Sequence, residues 1–575
     1  MKYSEILKAN KDLAHLLNDD EYNIRILSNI TTSPINEILE FTLRSSCIPA
    51  KVESGDYDNI LQDSQKYSES NVVIIFWELC NIIDGFYYKI ELLDDKQLEL
   101  VIKKTKSEID FVLKNLKSTS LVLINTFTSL PFSHSNIMKN HLDDLAIQFN
   151  RYLNEKIPPN VKLVDIEKVI ASVGVLNSLD LRYFYSSKAL YTIDFFKAYA
   201  NYIKLFIMSA NGKAKKALIF DCDNTLWKGI LGEDGFDNIE MSSRTKDGTI
   251  FAEIQSIALT LNKQGILIGL CSKNNPDDVD EVIEVHHDMQ LRDEHITIKR
   301  INWSDKVSNL KEIAQELNIG LDSLVFVDDS SFEVNLIREQ LPEITILQVP
   351  EKLYEYPIML RENIGLFYNL SFTAEDRKKI KMYKQQVKRE TVKKEFTDIE
   401  DYLASLELKM TIFKDDKSII SRMSQISQKT NQFNLTTKRY TEGDIKSFIE
   451  NEVSKVIAFS VSDKFGDNGV TGLCIINFHD ETQSVEIDTL LMSCRIIGRN
   501  IEYAFIDNII KIIEEKKANV IKAKYIKTQK NDQVKDFFEK CSFVLAESSD
   551  SEKNYTLDLN NYRPRQLEYI KVING

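Results

Sequence analysis

The chain has 575 residues, 43% of them hydrophobic and 28% charged, with a net charge of -14. That length exceeds one hydrophobic core and suggests about three or four domains, and the composition is that of an ordinary globular protein. The negative balance argues against nonspecific nucleic-acid binding, which needs a basic footprint, and the longest apolar stretch, near Val72–Trp77, is too short to span a bilayer. Met1–Lys8 carries no signal-peptide core, and the seven scattered cysteines include no Cys-x-x-Cys pair. Both features predict reduced thiols and a cytoplasmic protein.

Residues 1–210 alternate apolar runs with helical patterns. The strand candidates are Ile24–Leu27, Val72–Phe76, Leu121–Ile124 and Val161–Val164, with helices at Ser33–Leu43 and Leu142–Lys156 between them. This order predicts a βαβ sheet covered by helices.

The next run, Ala217–Phe220, ends in Asp221-Cys222-Asp223-Asn224-Thr225. Two carboxylates one residue apart, at the end of a buried strand, project into the crevice where open α/β sheets bind ligands. Chemistry there divides between Asp221 as nucleophile and Asp223 as general acid and base. Three further polar stations follow. Ser272 ends the run Gly265–Cys271 and offers a hydroxyl to a phosphoryl oxygen. Lys306, in Asn302-Trp303-Ser304-Asp305-Lys306, is a cation for phosphoryl charge. Asp328 and Asp329 end the run Leu324–Val327, and such hard oxygen donors, with no nearby Cys or His ligand, suit Mg²⁺.

Beyond this region, Thr373-Ala374-Glu375-Asp376 has capping-box spacing, and Ile380, Tyr383 and Val387 predict a solvated linking helix. Residues 400–560 form another αβ region, with Val470–Ile476 and Val485–Leu490 alternating like paired strands. Met492-Ser493-Cys494-Arg495-Ile496-Ile497-Gly498-Arg499-Asn500 then leads into a helix at Tyr503–Lys516.

The four stations resemble those of the haloacid dehalogenase (HAD) superfamily of phosphotransferases over about residues 214–350. The strings Asp221–Gly229, Gly232–Gly235, Asn302–Lys306 and Val327–Glu333 resemble its FkbH-like branch, as does Lys429–Thr436. The resemblance implies a multidomain α/β protein. Its parts would be an SGNH- or flavodoxin-like α/β sandwich over 1–210, a HAD Rossmann-like domain over 211–365, a helical linker over 366–399 and a GNAT-like αβ domain over 400–575. It implies in-line attack by Asp221, protonation of the leaving oxygen by Asp223, and Mg²⁺ held by Asp221, the carbonyl of Asp223, and Asp328 or Asp329. Ser272 and Lys306 would clamp the transferring group.

Strand, Arg-x-x-Gly, helix is similar to the pyrophosphate-binding turn of GNAT acyltransferases, where amides at a helix N-terminus cradle the pyrophosphate. On that resemblance Arg495, Gly498 and Arg499 would hold coenzyme A or a carrier-bound phosphopantetheine, although Asn500 stands where Gly or Ala is usual. FkbH-like proteins are linked to forming glyceryl thioesters from 1,3-bisphosphoglycerate and loading them on acyl carrier proteins, which makes Cys494 a candidate nucleophile; its other reading is a small buried hydrophobe. The alternatives are a plain phosphatase of a small phosphorylated metabolite or sugar, and a scaffold with a vestigial site. In the first region Ser28 and Ser33 are conceivable esterase nucleophiles, but Ser178–Tyr185 supplies no histidine base, so a binding or packing role is expected. His286, His287, Asp288, Asp293 and His295 lack catalytic metal spacing and read as surface residues.

Overall fold

The computed structural model describes residues 1–16, 21–370, 374–479, 483–516, 518–528, 530–565 and 567–574, and their side chains except those of residues 16 and 374–378. The chain divides into two compact units, Met1–Ala210 with Arg439–Asp444, and Asn211–Lys438 with Ile445–Gly575.

The first unit is built on β1 (Tyr22–Ser28), β2 (Ala50–Ser54), β3 (Val72–Phe76), β4 (Leu121–Asn125) and β5 (Val161–Val164). They lie in the order β2-β1-β3-β4-β5, all parallel, which is the flavodoxin-like winding. Every residue of β3 and β4 is buried, as expected where helices cover both faces of a parallel sheet. Helices Asp95–Asn115 and His141–Lys156 cover one face through Ile109, Val112, Leu145 and Phe149. Their N-termini are closed by Asp94 and Asn140, whose side chains accept from the amides of Gln97 and Asp143.

This unit assembles no hydrolytic dyad among its described residues. Ser28 is buried and donates to the Ile30 carbonyl at 2.7 Å, and Ser33 is exposed. Asp180 caps helix Leu181–Ser187 by accepting from Tyr183 N. The rings of His15 and His134 turn to the Asp12 and Leu130 carbonyls, and that of His141 to Glu91.

The second unit holds two sheets. The first contains β6 (Ala217–Phe220), β7 (Leu267–Ser272), β8 (Ile296–Ile301), β9 (Leu324–Asp328) and β10 (Thr345–Gln348), ordered β10-β9-β6-β7-β8 and parallel throughout. The winding reverses between β6 and β9, so the crevice at their carboxyl ends is the switch point where such sheets bind ligands.

The second sheet contains β11 (Leu408–Lys414), β12 (Ser454–Asp463), β13 (Gly466–His479), β14 (Ser484–Met492), β15 (Val520–Ile526), β16 (Val544–Ser548), β17 (Glu552–Asp558) and β18 (Ile570–Asn574). Its order is β16-β17-β15-β14-β13-β12-β11-β18. It is antiparallel except where β14 meets β15 and β11 meets β18. Helix Ile501–Glu514 connects β14 towards β15 and buries Ile506, Ile509, Ile510 and Ile513 in the core with Ile487, Ile521 and Tyr555. The β14–β15 pairing covers only Ser484–Ile487 against Val520–Ala523.

Helix Ala374–Lys393 departs from the expected solvated linker. Met382, Tyr383, Gln386 and Arg389 are buried, and Tyr383 joins the core of the parallel sheet together with Ala217 and Phe326. Arg389 forks onto Asp463 of β12 at 2.7 and 2.8 Å. The helix therefore joins the two sheets of this unit. Thr373, the expected cap, lies outside the described residues.

Candidate active site at the β6–β9 switch point

Each strand delivers its station by ending where it does. Asp221 follows β6, Ser272 closes β7, and Asp328 closes β9; all three are buried. Lys306 arrives differently. Asp305 caps helix Lys306–Leu317 by accepting from Ser308 N, and that start turns Lys306 inward. Its Nζ donates to Asp221 Oδ1 at 2.9 Å and to Asp328 Oδ2 at 2.7 Å. Neither ion of these pairs has solvent to fall back on, so the hydrogen bonds must compensate for desolvation. The other oxygen of Asp328 accepts from Ser330 N at 2.8 Å.

Asp223 is fixed by three donors. Its Oδ1 accepts from Leu231 N and Trp227 Nε1, each at 3.0 Å, and its Oδ2 accepts from Asn274 Nδ2 at 2.9 Å. Burial nonetheless raises its carboxyl above the usual aspartate range, with the Asp221 charge adding to the effect. Burial and Asp221 raise Asp329 in the same way and push Asp328 up to about 6. Lys306 is held above the ordinary lysine value: its burial acts downward, but Asp221 and Asp328 outweigh it. Burial thus makes these carboxyls hold a proton more readily than exposed aspartates do, the direction that acid–base work needs.

Carboxylate oxygens of Asp221, Asp328 and Asp329 lie within 4.8 Å of one another. This cluster of hard oxygen donors beside a cation and a buried serine fits Mg²⁺, which prefers one or two carboxylates completed by water and phosphate. Asn274, Trp227 and the Tyr356 hydroxyl, which donates to the Thr225 carbonyl at 3.1 Å, were not among the predicted site residues. Asn274 lies two positions after Ser272, on the same strand exit, and that proximity was the only sequence signal for it.

Cys494 is not at this site. Its carbonyl accepts from Asn318 Nδ2, and Asn318 follows helix Lys306–Leu317 on the approach to the amino end of β9. Lys216, which precedes β6, is a neighbour: burial acts to lower its ammonium, but Cys494, Tyr383 and Asp322 outweigh that and hold it above the usual value. Arg495 is buried, with Nε donating to Ser493 Oγ at 3.3 Å. Arg499 is buried too, donating to Asp463 Oδ2 at 3.2 Å, to Gln386 Oε1 at 2.7 Å and to the Arg495 carbonyl at 2.8 Å. Burial, then Arg389, lowers it to about 10. These contacts engage the Arg499 side chain inside the protein rather than presenting it to a phosphate. Gly498 and Asn500 take the left-handed conformation, φ 83° and 59°, and Asn500 Nδ2 donates to Tyr569 Oη at 2.7 Å.

His286 corrects another expectation. It is buried, its ring 5.0 Å from that of Phe236, whereas His287 is exposed. Asp293 pairs with Lys299 at 2.8 Å, and His295 Nδ1 accepts from Arg292 N at 3.0 Å.

No protein-family model matches the chain, and no curated protein matches it. Among solved structures, the N-terminal part of protein BF1531 from Bacteroides fragilis, containing a phosphatase domain complexed with Mg, is similar at 22% identity and a TM-score of 0.56. The match covers 65% of this chain and all of that one. The ribosomal-protein-S18-alanine N-acetyltransferase from Escherichia coli matches at 12% identity and a TM-score of 0.21, over 26% of this chain and 94% of that one. A putative GNAT-family acetyltransferase from Desulfovibrio desulfuricans matches at 10% identity and 0.21, over 26% of this chain and 99% of that one. No helix among the described residues is long and apolar enough to cross a membrane. By its own topology and that first likeness, the chain is a multidomain α/β protein with a flavodoxin-like parallel sheet, a second parallel sheet with Rossmann-like winding, and a mixed, mostly antiparallel sheet.

Proposed function

We propose that the protein is a Mg²⁺-dependent phosphatase working through Asp221. We further propose that its substrate is a phosphorylated three-carbon acyl donor such as 1,3-bisphosphoglycerate, whose glyceryl group passes to the thiol of an acyl carrier protein. The observation that carries the phosphatase reading is the buried set Asp221–Lys306–Asp328 at the switch point, with the carboxyl of Asp223 beside it.

An Asp221 oxygen attacks phosphorus while the bond to the leaving oxygen breaks, and Asp223, held by Trp227, Leu231 and Asn274, gives that oxygen its proton. Asp223 then takes a proton from the water that attacks the aspartyl phosphate, releasing phosphate and restoring Asp221. Lys306 and Ser272 hold the phosphoryl oxygens. Mg²⁺, held by Asp221, the Asp223 carbonyl and Asp328 or Asp329, would supply charge neutralisation for the phosphoryl group. In the acyl step the Cys494 thiol loses its proton to solvent or to the departing phosphate, and its sulfur bonds the acyl carbon as the acyl-phosphate C–O bond breaks. The carrier thiolate then bonds the same carbon as the bond to the Cys494 sulfur breaks, and Cys494 is released.

The placement of Cys494 towards the amino end of β9, away from Asp221, favours a second reading in which the protein only dephosphorylates a small metabolite or sugar. Intact-protein mass spectrometry after incubation with Mg²⁺ and freshly generated 1,3-bisphosphoglycerate separates the two. A hydroxylamine-labile glyceryl adduct, absent in Cys494→Ala, supports acyl transfer. Phosphate release that requires Asp221, with no adduct, leaves the phosphatase alone. Equal and negligible turnover by wild type and Asp221→Asn across phosphorylated donors would defeat both.

A further inference from the structure

Two parallel strands that part leave unpaired inner edges, and a bare edge is a template for any extended chain bearing amides. The pantetheine arm of coenzyme A is such a chain. With its pyrophosphate at the start of helix Ile501–Glu514, the arm would run along the edge of β14 that opens once β15 departs after Ile487 and Ala523. In this protein that edge is taken. The segment Phe433-Asn434-Leu435 lies in the gap as a short antiparallel insert, with Asn434 bridged to Leu491. Met492 N donates to the Phe433 carbonyl at 2.9 Å, and Leu435 N donates to the Leu490 carbonyl at 3.1 Å. On the far side Ile526 N donates to the Leu435 carbonyl at 2.8 Å, and Asn531 Nδ2 donates to the Asn434 carbonyl at 2.9 Å. The insert therefore bonds to both diverging strands.

It is also sealed and fastened. Asn434 and Leu435 are 0% exposed and Phe433 is 3% exposed. Thr437 N donates to Asn434 Oδ1 at 2.9 Å, Thr436 Oγ1 bonds Thr489 Oγ1 at 3.0 Å, and the Phe433 ring stands edge-on to Phe537. A pantetheine arm would have to break the hydrogen bonds on both strands and expel two apolar side chains from the core. At the turn itself, the Arg499 side chain is engaged with Asp463 and Gln386.

We infer that the chain itself fills the slot between β14 and β15, and that this GNAT-like domain is closed to the pantetheine arm of coenzyme A. As far as it concerns the acyl donor, this rests on the acyl-transfer reading. A coenzyme A thioester then cannot deliver an acyl group through this slot, and an acyl phosphate is the donor class that suits the phosphatase site.

The test uses the full chain and needs no turnover, so a dead phosphatase would not mask it. Coenzyme A and acetyl-coenzyme A are titrated calorimetrically to about 1 mM, the weak end of useful affinities. Hydrogen exchange is followed at the amides of Leu435, Met492 and Ile526 with and without each ligand. The expected result is no saturable heat and unchanged protection at all three amides. Saturable binding that leaves these amides protected would put the cofactor elsewhere and keep the slot closed. Saturable binding with faster exchange at Leu435 and Ile526 would mean the insert gives way to the cofactor, and would overturn the inference.

Discussion

Glu78 follows β3 at the carboxyl end of the first sheet and is buried, 4% exposed. Burial raises its carboxyl from 4.5 to about 7, with the neighbouring Tyr191 hydroxyl acting the other way. The native state therefore binds this proton more tightly than the unfolded chain does. Its contribution to stability is complete below the unfolded value and is lost as pH rises through the native one. At about 1.4 kcal/mol per unit, the window from 4.5 to about 7 is worth roughly 3 kcal/mol. Glu78→Gln replaces the titrating group with a permanently neutral one of the same shape. The variant should gain on wild type by roughly 3 kcal/mol between pH 4.5 and pH 8. Urea unfolding followed by tryptophan fluorescence reads this directly, since Trp77 is buried beside Glu78 in the chain. Identical pH slopes for the two proteins across that window would refute the reasoning. So would a variant that loses ground as pH rises.

The active site yields three more expectations. Asp221→Asn should lower Mg²⁺-dependent phosphate release by at least ~10³-fold, as expected for loss of a nucleophile, and a loss within tenfold would exclude Asp221 from that role. Asn274→Ala removes a donor to the Asp223 carboxylate; loss of a bond to a charged acceptor, about 1.5–3 kcal/mol, should raise the pKa of Asp223 further. The alkaline limb of the pH–rate profile, where Asp223 stops being a proton donor, should then move up by ~1–2 units, and a downward move would contradict the assignment. Lys306→Met leaves two buried carboxylates without their cation, so the metal-free protein should lose ~3–5 kcal/mol of stability. Mg²⁺ should restore part of that in thermal unfolding, and a neutral substitution would show that the ion pairs contribute little.

What could be read from the sequence followed the rule that apolar runs ending in polar residues make strand ends. Val72–Phe76, Leu121–Asn125, Ala217–Phe220 and Leu324–Asp328 have every residue buried, so hydrophobicity alone exposes them. β2 escaped because Ala-Lys-Val-Glu-Ser alternates as an edge strand does, and five such residues give little signal. The linking helix was misread because its buried face includes Gln386 and Arg389, polar residues that enter the interior only because Asp463 and Arg499 meet them there. That pairing spans up to 113 residues of sequence and leaves no local trace. Asn274 and Trp227 belong to the same class: their importance lies in a carboxylate that only the fold brings to them.

The short strand β6 also sets a distance. Lys216, the neighbour of Cys494, stands before it and Asp221 stands after it, so at ~3.3 Å per residue the two backbone positions are ~16 Å apart. A three-carbon group held on sulfur at one end of that strand is out of reach of a nucleophile at the other. Coupled chemistry would need a transit leg, by release into solvent or by transfer to a tether long enough to travel. A transit leg leaks: when carriers are scarce, free acid should escape in proportion to the time each group spends between stations.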